Sequence, residues 1–182
     1  MIFDEAIKIV LAHEGGWCDV SGDAGGETQM GLSMAWILKT GLTPKDLGLN
    51  LETFTPGCLK QVTKDTAISL YRKYFWEPSG YSNIKDQNTA IKLFDLSVNA
   101  GAKRANKLAQ QAANSCGQTL LVDGSLGPKS FAAINSIDPQ TYINAYGAQM
   151  EAFYRGIVAA NPTQAKFLNG WLKRAKWGCT QS

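Results

Sequence analysis

Two carboxylates and a hydroxyl, Glu14, Asp23 and Thr28, follow one another at intervals of nine and five residues near the N-terminus. The run from Ile2 to His13 reads as a helix, with Phe3, Ile7, Val10 and Leu11 at the three-and-four spacing of one apolar face. The same count lands on Glu14. A carboxylate on a buried stripe is costly unless it is paired or protonated. Gly15-Gly16 should stop the helix there, so Glu14 is expected beside the negative end of the helix dipole. Burial and dipole both favour a carboxylic acid that keeps its proton, which is what a general acid needs. One protonated and one ionised carboxyl group across a glycosidic bond are the minimal equipment for glycoside hydrolysis.

The residues around this trio are glycine-rich and small, from Gly15 to Ser33, and suit a tight turn or short hairpin along which backbone approaches a ligand. Gly25, Gly26 and Gln29 are therefore expected to line the substrate. Glu27, a third carboxylate, is expected to face solvent. Glu14-Gly15-Gly16-Trp17 together with Asp23-Ala24-Gly25-Gly26-Glu27-Thr28-Gln29-Met30-Gly31 resembles the signature of glycoside hydrolase family 108, and the trio resembles the Glu-Asp-Thr set of phage lysozymes. The resemblance implies a mainly α, lysozyme-like α+β fold in two lobes, with a small hairpin or loop after the first helix. It also implies muramidase activity of the endolysin type on peptidoglycan, the polymer of N-acetylmuramic acid and N-acetylglucosamine, with a lytic transglycosylase on the same bond or a non-catalytic peptidoglycan-binding or phage structural protein as the alternatives. Glu14 would then protonate the leaving oxygen, while Asp23 and Thr28 would place the attacking water. If Asp23 directs water straight to the sugar, the two carboxyl groups should stand roughly 6.5–9.5 Å apart and the product anomer should be inverted.

Farther on, Phe94-Asp95-Leu96-Ser97-Val98-Asn99-Ala100-Gly101 and Val122-Asp123-Gly124-Ser125-Leu126-Gly127-Pro128 resemble the predicted peptidoglycan-binding region that accompanies family 108. The expected division is a catalytic lobe over 1–85 and a helical, peptidoglycan-binding lobe over 86–182. Asp95 and Asn99, four apart on one helical side, are candidate groove residues. Helix capping and core hydrogen bonding compete for them. Trp76 is a candidate sugar-stacking ring, against the alternative of plain core packing. Asp123 to Pro128 reads as a structural helix-entry turn.

Other chemistries find little support. The chain has one histidine, and its four cysteines form no Cys-x-x-Cys pair, so neither a metal site nor another cofactor is expected. Free thiols suit a chain made in a reducing cytoplasm. No run of eighteen apolar residues is present, and Asp4, Glu5 and Lys8 interrupt the first helix too early for a signal peptide. A wall enzyme of this kind is expected to leave the bacterial cytoplasm through a holin or a secretion route.

Helices are expected at 33–40, 63–76, 88–99, 102–115, 128–136, 139–160 and 164–176. Thr63 and Asp138 are N-cap candidates, and Pro128 and Pro139 fit the first helical position. Ala67, Leu70, Tyr71 and Tyr74 should form the inward face of the second of these helices. Residues 41–58 read as loop with one short helical turn. Charge is divided unevenly: residues 1–85 hold 8 Lys/Arg against 10 Asp/Glu, and residues 86–182 hold 10 against 5. A basic second half would be drawn to anionic envelope polymers. Nucleic acid is not expected at a net charge of +3 without a recognition motif, and a monomer is. In the last helix, Phe167, Leu168, Trp171, Leu172 and Ala175 should pack inward. Lys166, Lys173, Lys176 and Trp177 fall on the other side, as an exposed, envelope-facing set unless the chain turns after Lys176 and folds Trp177 back on the core.

Overall fold

Asp4 and Glu5 in the first turn complement the helix dipole, and the chain forms α1 from Ile2 to Glu14. Phe3, Ala6, Ile7 and Val10 are its buried residues, while Leu11 is only half-buried. The computed structural model describes residues 2–14 and 27–180, with side chains for all of these except His13 and Glu14. Two short strands follow, β1 (Thr28–Gln29) and β2 (Leu32–Ser33), paired antiparallel with Thr28 opposite Ser33 and Gln29 opposite Leu32. The fold is mainly helical with one small hairpin after the first helix, as expected.

The chain separates into two compact units, residues 3–75 and residues 76–182. In the first, Ser33 caps α2 (Met34–Thr40) by accepting the Trp36 amide at 3.2 Å. The 41–62 stretch is built around two 3-10 turns, Pro44–Leu47 and Cys58–Gln61, where one turn was expected. α3 (Lys64–Tyr71) is capped by Thr63, which accepts from the Thr66 amide, and then widens into a π turn over Arg72–Trp76. That extra residue per turn shifts the inward face. Tyr74 is left half-buried, whereas Phe75 and Trp76 are buried. Arg72 pairs with Asp4 at 3.2 Å and lies over the Phe3 ring.

The second unit opens with a single helical turn, α4 (Glu77–Ser79), and a 3-10 turn, Tyr81–Asn83. α5 (Gln87–Ala100) follows, capped by Asp86, and every residue from Thr89 to Ser97 is buried. α6 (Ala102–Ser115) turns a face of small residues, Ala105, Ala109, Ala112 and Ala113, to the core. α8 (Pro139–Ala160) meets that face with large ones. Tyr142, Tyr146, Met150 and Tyr154 recur every fourth residue and are all buried. The Tyr142 hydroxyl donates to the Ala109 carbonyl at 3.1 Å, and the Tyr146 hydroxyl to that of Ala105 at 3.2 Å. These carbonyls become acceptors because small side chains let the helices approach. Burial pushes the Tyr81 phenol up to about 12, and its hydroxyl donates to Asn106 Oδ1.

α7 (Pro128–Ser136) and α8 start on Pro128 and Pro139, and Asp138 caps α8 by accepting the Thr141 amide at 2.8 Å. α9 (Ala165–Lys176) follows a 3-10 turn at Pro162–Gln164. It packs Ala175 fully and stacks Trp171 on Tyr154, with ring centres 5.2 Å apart. Phe167, expected inside, is 46% exposed. It reaches only the edge of the core, against Trp171. Trp177 takes the second of its two expected courses. The helix ends before it, and the buried Lys92 ammonium takes the carbonyls of Ala175 and Trp177, folding the chain back. Trp177 is half-buried there, so the exposed indole among cations does not form. Cys58, Cys116 and Cys179 are free thiols, and no helix among the described residues is long and apolar enough to cross a membrane.

Candidate active site

Glu14 is the last residue of α1, and the hairpin that carries Thr28 and Gln29 begins fourteen residues later. Asp23, Gly25 and Gly26 lie outside the described residues. Thr28 and Gln29 are adjacent and half-buried on β1. Met30 and Gly31 close the hairpin, with φ of 47° and 80°. Two consecutive positive φ values give the turn whose twist matches paired strands. Glycine adopts such values freely, but Met30 does so only under restraint.

The restraint is visible. The Met30 carbonyl accepts the Tyr71 hydroxyl at 2.8 Å. On the other side of β1, Glu27 is 9% exposed and its carboxylate accepts the Gly57 amide at 2.8 Å and the Leu59 amide at 2.6 Å. The Glu27 carbonyl also accepts the Met34 amide at 2.9 Å. Glu27 was expected in solvent, and the structure corrects that. Its partners are the backbone amides of Gly57 and Leu59, some thirty residues away, which local pattern does not reveal. The hairpin is thus clamped at both ends. Gln29 keeps a buried side-chain oxygen with no hydrogen-bond partner among the described residues.

Trp36 and Tyr74 are half-buried rings of the same unit, set edge to face with centres 5.7 Å apart. Trp36 also stacks on Phe75 at 5.3 Å. Trp76 itself is 2% exposed, packed edge-on against Tyr81 and Phe94, with its indole N–H donating to Ser82. The π turn rotates it into the core of the second unit, so the sugar-stacking role is withdrawn. Of the proposed groove pair, Asp95 is likewise inside, whereas Asn99 is exposed. Asp95 is 5% exposed and pairs with Arg174 at 3.4 Å, while the Asn99 amide oxygen accepts the Tyr154 hydroxyl at 2.8 Å. Both hold α5 to the helices beside it. Among the described residues, no three of His, Cys, Asp and Glu stand close enough to share a metal ion.

The glycosyl hydrolase 108 family model matches residues 7–101, over half of the chain. The chain belongs to glycosyl hydrolase family 108. A second model, described as a predicted peptidoglycan domain, matches residues 104–176. The family 108 chain is therefore a glycoside hydrolase acting on peptidoglycan. No curated protein matches it. Among solved structures, that of Brucella abortus SagA superposes with a TM-score of 0.77 at 24% identity, covering 97% of this chain and 90% of that one, which shows the shared fold. The border between the two matches falls after α5, whereas the compact units part at Phe75 and Trp76. In sequence α5 goes with the hydrolase, and in packing it forms the centre of the second unit.

Proposed function

We propose that this family 108 enzyme is a muramidase, hydrolysing the β-1,4 bond between N-acetylmuramic acid and N-acetylglucosamine and lysing bacterial cells as endolysins do. The observation that carries the reading is the doubly clamped hairpin. Glu27 and Tyr71 hold Thr28 and Gln29 in fixed positions a few residues after Asp23 in the chain. Pre-set polar groups lower a barrier because they need not reorganise as charge develops. Glu14 is the general acid, Asp23 directs the water or steadies the sugar's positive charge, and Thr28 helps to hold that water. Trp36 and Tyr74 offer apolar ring faces to the sugar. The exposed Lys166, Lys173 and Lys176 draw the protein to anionic envelope polymers in a salt-dependent way. The enzyme is made in the bacterial cytoplasm and meets the wall after release.

Glu14→Gln tests this directly. It should fold as the parent does and lose roughly 10²–10⁴-fold of its activity on outer-membrane-stripped cells. Activity within about threefold of the parent would remove Glu14 from the chemistry. Mass spectrometry of the digest distinguishes hydrolysis, which leaves reducing muramic acid ends, from transglycosylation, whose anhydro ends are lighter by one water. NMR of fresh product should show the inverted anomer, and retention would replace direct water attack with a covalent intermediate.

A further inference from the structure

A cleft of about 670 Å³ lies in the second unit, between the loop at 119–125 and the first turn of α7. It is preformed. The Gln110 side chain on α6 donates to Asp123 Oδ1 and to the Ser125 carbonyl, and accepts the Gly124 amide. Gly124 lies so close to α6 that a Cβ there would stand 2.8 Å from the Lys103 carbonyl. The loop thus cannot close the cleft without breaking this clamp.

The lining points to a ligand. Ser130 is 5% exposed and lines the cleft, and among the described residues nothing hydrogen-bonds its hydroxyl. No side chain caps α7, because its N-cap is Gly127. Its first-turn amides and the exposed Lys129 ammonium therefore share that side of the cleft with a free hydroxyl. Hydroxyl, amides and ammonium together suit a carboxylate. Across the cleft, hydrogen bonds from Gln110 and the Ser125 amide hold the Asp123 carboxyl below its usual range, leaving an anion for an amine or amide. Leu120 and Leu121 supply apolar surface, and Leu121 is 79% exposed. No aromatic ring lines the cleft, so a sugar would find no face to stack on.

We propose that this cleft binds the peptide stem of peptidoglycan through a free carboxylate, with alanine methyls against Leu121. The proposal rests on peptidoglycan being the partner and adds that this unit reads the peptide, not the sugar. It is tested by titrating the full chain with a stem tetrapeptide ending in D-alanine, with the same peptide amidated at every carboxyl, and with a peptide-free disaccharide. Amide signals of Gln110 and Ser130 report occupancy. The free acid should bind, and the amidated peptide should bind roughly fivefold or more weakly. Lys129→Gln should cause a similar loss for the free acid, Lys129→Arg should restore most of it, and Leu121→Ser should weaken both peptides. Lys129 and Leu121 are exposed, so thermal melts of these variants should match the parent. Equal binding of acid and amide, an unaffected Lys129→Gln variant, or perturbation of these signals by the disaccharide alone would overturn the proposal. Cleavage of peptide-free glycan by the parent chain, measured alongside, reports on the muramidase reading separately.

Discussion

Among the described residues each unit buries one carboxylate, and the two are used differently. Glu27 in the first unit takes two backbone amides from a turn, and so fixes loop and hairpin where no long helix does it. Asp95 in the second takes the Arg174 guanidinium, tying α5 to α9 within a core already set by the tyrosine stripe of α8. A buried anion must be paired in either case. In the first unit the pairing shapes the hairpin that carries Thr28 and Gln29. In the second it joins elements that hydrophobic packing already brings together. A polar bond in a small-cored region decides local shape, whereas one in a helical core mainly guards against a wrong assembly.

The comparison can be broken most forcefully at Asp95. Asp95→Ala removes one partner of the largely buried Arg174 guanidinium, and should lower stability by about 3–5 kcal/mol in thermal or denaturant melts. Cleavage of soluble wall fragments below the melting temperature should survive. If activity vanished while stability held, Asp95 would belong to the site after all.

Glu27→Ala should be the reverse. Two amides lose their acceptor, which costs about 1–3 kcal/mol. Activity should fall by much more than the folded fraction does, because Thr28 and Gln29 lose their setting. A variant that is destabilised yet fully active per folded molecule would end the claim that the clamp serves the site.

The smallest effect concerns acid. Asp123 is held below its ordinary 3.8, chiefly by the Gln110 amide, and Asp138 likewise, chiefly by the Thr141 backbone N–H. A depressed folded value means that their stabilisation is complete above the unfolded value and fades as pH falls through the folded one. Melting temperature should therefore drop below about pH 4, and Asp123→Asn with Asp138→Asn should flatten that drop. An unchanged acid limb would show that carboxylates elsewhere control it.

Local chemistry decided much of this molecule in advance. Thr63, Asp138, Pro128 and Pro139 start their helices where their side chains or missing N–H groups require, and the caps involve partners only three residues away. The order Glu14, Asp23, Thr28 and its glycines carried the family, because it is a matter of residue types at fixed intervals. Only the tertiary structure decided what Glu27, Trp76 and Asp95 do. Glu27 meets amides some thirty residues on, and Asp95 meets a cation seventy-nine residues on. Trp76 is turned inward by a π turn that no periodic reading anticipates. A side chain's surroundings depend on which distant segments the core draws together. Spacing along one helix says which residues share a face, but not what that face will meet.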